Sequence, residues 1–227
     1  MCPYSVVIPA YNAARTLAET LASVLAQTSP PAEVIVIDDG STDGTAALAA
    51  ACGAPVRLIR QANTGPGGAC SRGVRAATSP WVALVDADDL WLPAKMSRQL
   101  QALAADPGLA AIGCKMRQFE HGRDDDGTGE VRGGLNRSNL VFRREVFAEV
   151  GDMIDPPGNR GDMIDWLARM RETGHRTAEL DEVLALRRII PGSLSYGRAP
   201  ERDLGYLKVA HLAMLRRRKK AQEGGSP

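Results

Sequence analysis

Apolar positions in the first hundred residues follow two rhythms. Short runs that are apolar throughout, "SVVIP" (Ser5 to Pro9), "EVIVID", "VRLIR" and "WVALVD", alternate with stretches whose apolar residues recur every three or four positions. "TLAETLASVLAQ" puts Leu17, Leu21, Val24 and Leu25 on one helical face. "TDGTAALAAACG" reads as a second helix, with Thr42 or Asp43 as its N-cap and Gly53 past its end. A glycine-rich entry leads to a third helix around Ala69 to Ala77. Pro93 suits the first position of a fourth, running to about Ala105. Strands that are apolar throughout are covered on both faces, so the pattern predicts an α/β fold whose central, mainly parallel sheet is flanked by helices.

After about residue 108 the rhythm changes. "AAIGCKMRQFEH" reads as one long strand, and Gly122 to Gly134, polar and glycine-rich, as a mobile loop. "FRREVFAEVG" reads as a short helix stopped by Gly151, and "DMIDWLARMRETG" as another ended by Gly174. Leu204 to Leu215 reads as an amphipathic helix with Leu207, Ala210, Met214 and Leu215 on one side, followed by a disorder-prone "EGGSP". The expectation is one continuous domain with a first half (1–115), a second half (116–203) and a C-terminal helix with its tail (204–227).

A chain of 227 residues buries roughly 70% of its unfolded surface and needs no disulfide staples. Cys2, Cys52, Cys70 and Cys114 show no metal-ligand spacing and read as reduced thiols. No apolar stretch reaches the ~20 residues of a membrane span and no signal-peptide pattern opens the chain, so a cytoplasmic location is expected. The net charge of +1 argues against nucleic acid as a partner. "RRRKK", Arg216 to Lys220, is the exception. It is a candidate for peripheral contact with an anionic membrane face, although the solvated end of a packed helix is the favoured reading. The apolar side of the same helix suits a homodimer contact.

The chemistry lies at the strand ends. In open parallel sheets, ligands sit beyond the carboxyl ends of the strands. Here those ends deliver "AYN", "DDGSTDG", "QANTGPGG" and "ADD". Asp38 and Asp39 close one strand, and Asp86, Asp88 and Asp89 follow another. Carboxylates so close together repel unless a cation joins them, and hard oxygen ligands suit Mg²⁺ or Mn²⁺ with phosphates and water completing the shell. The glycines of "NTGPGG" let backbone amides approach an anion at a helix N-terminus. Each feature alone is an ordinary turn or cap; their combination, in order, is what points to a nucleotide site.

That combination, "SVVIPAYN", "VIVIDDGSTDGT", "NTGPGG" and "WVALVDADDLWLPAK", resembles family 2 glycosyltransferases of the GT-A fold, and "SNLVFRREVFAEVG" and "GDMIDWLARMRETG" extend the resemblance to Gly174. It implies a nucleotide-sugar half followed by an acceptor half. Pro9, Ala10 and Tyr11 would line the base and ribose, and Asp39 would hold a uracil-like edge with Asp38 beside it. Asn63, Gly65 and Arg72 would border the donor. Asp86, Ala87 and Asp88 form the family's D-x-D, with Asp88 on the metal, Asp86 on the ribose or the metal, and Asp89 sharing either task.

Asp162 would be the catalytic base, with Asp165 as the alternative, and Gly161 stands where the family often has a first acid. "ACSRG" (Ala69 to Gly73) stands where the family has "ARN-x-G", with Cys70 in place of the arginine, so that a diphosphate contact is either lost or supplied by Arg72, Arg187 or Arg188. Cys70 itself reads as a packing residue. The implied activity is metal-dependent, inverting transfer from a nucleotide-sugar, with a UDP-sugar expected, to an unidentified acceptor hydroxyl. Two rivals stand beside it: a non-catalytic nucleotide-sugar-binding scaffold, and a nucleotidyltransferase. The second would normally carry its glycine-rich loop after the first strand, where this chain has "AYNAARTL".

Overall fold

The computed structural model describes residues 2–156, 161–192, 205, 208–209, 211–216 and 218 of the chain. Four parallel strands open the fold: β1 (Tyr4–Ala10), β2 (Glu33–Asp38), β3 (Val56–Arg60) and β4 (Trp81–Leu84). Helices α1 (Leu17–Leu25), α2 (Thr45–Ala51) and α3 (Pro66–Ala76) link them. Next come β5 (Leu90–Trp91), α4 (Lys95–Ala105), β6 (Leu109–Glu120) and β7 (Val131–Arg132). A 3-10 turn (Arg137–Asn139), β8 (Val141–Arg143), α5 (Arg144–Val150), α6 (Asp162–Glu172) and β9 (Arg176–Ile189) complete the chain order. Among the described residues nine strands form one sheet, in the order β3-β2-β1-β4-β8-β6-β9-β5 with β7 paired to β6. The chain winds outward from β1 to β3 and then returns to β1's other side with β4, so the order reverses between β1 and β4. Ligands of open α/β sheets bind beside such a reversal.

Both faces of β1, β2 and β4 are covered, which is why these strands read as apolar, whereas β3, at the sheet edge, exposes Arg57 and Arg60. Tyr4, Val6 and Ile8 of β1 face α1 and α4 through Leu17, Leu21, Met96 and Leu100. Val7 of β1, with Ile35 and Ile37 of β2, faces α3, α5 and α6 through Val74, Phe147 and Trp166. The long strand expected near residues 110–121 is β6, but other boundaries move. α3 begins at Pro66, earlier than expected. Pro93 does not open α4, because Leu90 and Trp91 pair with β9 and the helix starts at Lys95. Phe142 and Arg143 are strand, not helix, because β8 bridges β4 and β6. Gly122 to Gly134 is not loop throughout: β7 pairs with β6, and Arg117 is ion-paired with Asp125. The line between residues 115 and 116 falls inside β6, and the sheet runs through it. Residues 211–216 are helical, whereas Leu207, Ala210, Arg217 and the residues from Lys219 onward lie outside the described residues.

One buried charge stands apart. Lys95 is fully buried. Its ammonium donates to Gln99 Oε1 at 2.8 Å and sits 3.9 Å from the Trp91 ring centroid. Burial lowers its pKa from 10.5 to about 8. The fold therefore disfavours the charged form. Below pH 8 that cost is present in full, and between pH 8 and 10.5 the unfolded chain binds more protons, so stability rises with pH. Lys95→Met removes the cost. The variant's stability relative to wild type, read from urea midpoints, should fall by on the order of 3 kcal/mol across that window. A difference independent of pH would show that the lysine titrates as in water.

Candidate active site

Two loops meet beyond β1 and β2. Tyr11, the first exposed residue after β1, is 55% exposed, whereas Pro9 and Ala10 are buried within the strand. The two buried residues can present only backbone to a ligand. Asn12 accepts from the Thr42 amide at 2.9 Å and donates its own amide to Ser41 Oγ at 2.9 Å, which locks the loops together. Asp43 accepts from the Thr45 amide at 3.0 Å and from Ala14 at 3.1 Å. The N-cap of α2 is Gly44, not Thr42 or Asp43, and Asp43 instead braces the turn one residue earlier.

The two adjacent aspartates separate in role. Asp38, fully buried, accepts from the Ser41 amide at 3.1 Å and from Arg60 Nε at 3.1 Å, so it braces the strand ends and faces no ligand. Asp39 Oδ1 accepts from the Gln61 side chain at 2.6 Å and the Thr64 amide at 2.9 Å, and Oδ2 accepts from the Gly65 amide at 2.9 Å. A single short carboxylate thus fixes the entry to α3. Asn63 is exposed nearby, and Arg72 is exposed and donates to Gln61 Oε1 at 3.3 Å.

The glycine-rich turn does receive an anion, and the anion is internal. Asp155 accepts from the amides of Gly67 and Gly68, each at 2.8 Å, and so occupies the N-terminus of α3. A Cβ on Gly65, whose φ is +90°, would lie 2.7 Å from the Asp155 carboxylate. The glycines that suggested a phosphate cradle are therefore explained by the approach of this side chain. Burial raises the Asp155 pKa.

Residues Asp86 to Asp89, just beyond β4, carry three carboxylates with three environments. The loop is held from below through its backbone. Thr16 Oγ1 donates to the Ala87 carbonyl at 2.8 Å, Thr20 Oγ1 to the Asp89 carbonyl at 2.9 Å, and Arg188 Nε to the Asp88 carbonyl at 2.8 Å. Ala87 is buried in the core. Asp89 is 5% exposed and accepts from the Arg188 amide at 2.9 Å. Burial first, then the charges of Asp88 and Asp86, push its pKa well up. It is a buried brace with its partners inside the protein, not a third ligand. Asp88 is partly exposed, and burial together with the Asp86 charge pushes its carboxyl to about 6. A divalent cation would relieve both effects. Among the described residues no group of three or more His, Cys, Asp or Glu side chains is arranged to enclose a metal. Two carboxylates fit Mg²⁺ or Mn²⁺, which keep positions for phosphate oxygens and water. The residues present fit such an ion.

Asp86 has another partner. Arg137 Nη1 donates to Asp86 Oδ1 at 2.6 Å, and Nη2 donates to Asp162 Oδ2. The structure thus brings Asp86 and Asp162 to the two arms of one guanidinium. Asp162 opens α6 and is 5% exposed. The residue before it, Gly161, has φ +104°, a conformation that an acidic side chain would hold only under strain. This accounts for the missing first acid. Asp165 is committed elsewhere: Oδ2 accepts from Arg169 Nε at 2.8 Å and Oδ1 from Arg216 Nη1 at 2.9 Å. Arg216, the first residue of "RRRKK", ties the C-terminal helix to α6 through Asp165 and Glu172.

Cys70 is fully buried beneath these groups, and burial pushes its thiol up to about 12. It is a packing residue and no nucleophile. Arg188 reaches Glu19 at 2.5 Å and stacks 4.6 Å from the Phe119 ring, so it supports the loop and is not free for a diphosphate. Arg187 is partly exposed, and its charge acts on Asp88. The motif reading missed Arg137, Ser138 and Asp155. Arg137 stands immediately before "SNLVFRREVFAEVG", the stretch that carried the second-half resemblance.

A model of the family described as Glycosyl transferase family 2 matches residues 5–157. Succinoglycan biosynthesis protein ExoU of Rhizobium meliloti (strain 1021) is 34% identical over 197 residues, covering 75% of this chain and 57% of that protein. The uncharacterized glycosyltransferase alr2836 of Nostoc sp. (strain PCC 7120) is 45% identical over 98 residues, 41% of this chain and 30% of that one. The chain thus spans less than two thirds of the length of these relatives. S. aureus TarS 1–349 in complex with UDP-GlcNAc superposes with a TM-score of 0.73 at 19% identity, over 94% of this chain and 66% of TarS. Mannosyltransferase PcManGT from Pyrobaculum calidifontis, in complex with GDP-Man and Mn²⁺, gives 0.63 at 22% identity, over 93% of this chain and 70% of that one. The fold is GT-A, and the chain belongs to glycosyl transferase family 2.

Proposed function

We propose that this chain transfers a sugar from a UDP-sugar to an acceptor hydroxyl, with a divalent cation and with inversion at the anomeric carbon. The observation that carries the proposal is the meeting of Asp86, Asp88 and Asp162 beside the β1/β4 reversal, with Arg137 between the first and the last. Family membership supports the reaction class, and the UDP-GlcNAc and GDP-Man complexes of TarS and PcManGT support a nucleotide-sugar donor.

Each residue then has a task. Tyr11 offers an exposed aromatic face to the base. Asp39 Oδ2, with a single amide donor, keeps room to accept from the N–H edge of uracil. Asp86 and Asp88 would hold the cation. That cation, when bound, neutralises charge developing on the departing diphosphate. Asp162 accepts the proton of the acceptor hydroxyl. The hydroxyl oxygen bonds to the anomeric carbon on the face opposite the diphosphate, whose bond breaks with its electron pair leaving on UDP. Asp165, with both oxygens engaged, holds α6 in place and takes no proton.

Calorimetric titration with UDP, GDP and their sugar conjugates, with and without Mn²⁺, tests this reading. Mn²⁺-dependent binding of UDP in preference to GDP is the expected result. Absence of any nucleotide binding would overturn it.

A further inference from the structure

Arg137 lies where the two sides of the site join. Asp86 follows β4 on the donor side and Asp162 opens α6 on the other, and each takes one arm of the same guanidinium. The arginine side chain is 11% exposed. Its Nε–H is buried and has no hydrogen-bond partner among the described residues, so the fork is set by the two carboxylates. The turn that presents it is rigidly fastened. Asn136 and Asn139 form a reciprocal cap across it. Ser138 Oγ accepts from the Asp86 amide at 3.1 Å, the Ser138 carbonyl accepts from Trp91 Nε1 at 2.7 Å, and the Asn139 carbonyl accepts from Gln99 Nε2 at 2.8 Å. Side chains held by such supports keep the geometry that catalysis needs.

We propose that Arg137 is a positioning residue that ties the Asp162 carboxylate to donor-side Asp86 and so sets the base against the bound sugar; this rests on Asp162 being the base. A planar fork can engage two carboxylates at once, which a lysine ammonium on its flexible stem does not reproduce. Without the fork, the buried Asp162 carboxylate and the partly exposed Asp86 carboxylate lose the cation between them, and Asp162 is free to turn away.

The test is UDP release from UDP-GlcNAc with Mn²⁺ and water as acceptor. Water oxygen bonds to the anomeric carbon, UDP leaves with the electron pair of the broken bond, and the proton passes to Asp162. Arg137→Met and Arg137→Lys should each lower kcat by about 100-fold with the donor KM within about threefold, because misplacement of a general base costs about that much. Arg137→Met placed on Asp162→Asn should cost nothing further. Wild-type kcat in Arg137→Lys would overturn the proposal by showing that charge alone suffices. A loss in Arg137→Met that persists undiminished in the Asp162→Asn background would also overturn it.

An Asp162→Asn variant at wild-type rate would bring down the base assignment itself. A slow Asp162→Asn with a fast Arg137→Met would bring down this inference alone. A crystal structure with UDP and Mn²⁺ serves where the variants misfold or release is too slow to follow. The guanidinium should remain on Asp162, and a guanidinium moved from Asp162 to the diphosphate would overturn the proposal.

Discussion

Asp88→Ala should abolish Mn²⁺-dependent UDP binding and lower sugar transfer by about a thousandfold or more, the scale on which loss of a charge-stabilising group acts. The fold should survive. The loop that carries Asp88 is fastened through its backbone, by Thr16, Thr20 and Arg188, and by the buried carboxylate of Asp89. None of these anchors uses the Asp88 side chain. Removing one of two carboxylates that repel each other should leave the melting temperature unchanged or slightly raised. Asp89→Ala provides the contrast, since it leaves the Arg188 amide without its acceptor and should cost stability as well as activity. Transfer retained in Asp88→Ala would refute the assignment of the cation.

Trp166→Ala should remove about 3–5 kcal/mol of stability, a large part of what a domain of this size has. Trp166 is fully buried, 4.9 Å from the Phe142 ring centroid and 6.4 Å from that of Phe147, and its indole N–H donates to the Gly151 carbonyl at 2.9 Å. It joins α6 to β8 and α5, so its loss opens a cavity under the helix that starts at Asp162. Urea denaturation checks the figure. A cost below about 1.5 kcal/mol would mean that the aromatic cluster closes around the gap.

The donor side of the fold was legible because each of its features is local. A strand buried on both faces is apolar at every position, and Asp39 and the glycine turn lie within a few residues of the strand ends they serve. The other side depends on distant partners. β9, "RTAELDEVLALRRI", is rich in residues that favour helices, and it is a strand because β6 offers it a long parallel edge. Arg137 is one of 28 Lys and Arg residues, and although it adjoins "SNLVFRREVFAEVG", the motif itself does not include it. Its importance comes from Asp86 and Asp162, which only the fold brings near. Asp155 hid in the same way. Its carboxylate gives "NTGPGG" the anion that the glycines called for, but it comes from almost ninety residues further along the chain. The Asp-x-Asp spacing announced a metal pair, yet not that Asp89 would be drawn inward or that Asp86 would be shared with a guanidinium.

The pairing of Asp89 with the amide of Arg188, in β9, bears on the order in which the molecule is made. On the ribosome the four parallel strands emerge first and can begin to collapse around their own core, as N-terminal segments do. The carboxylate loop is braced only after a segment about a hundred residues later has left the exit tunnel and aligned with β6. Such late, long-range closure is slow compared with helix formation. A nascent chain cut short before β9 would therefore carry every motif of the first strand ends and still lack a finished site, so the site is completed only once β9 has emerged.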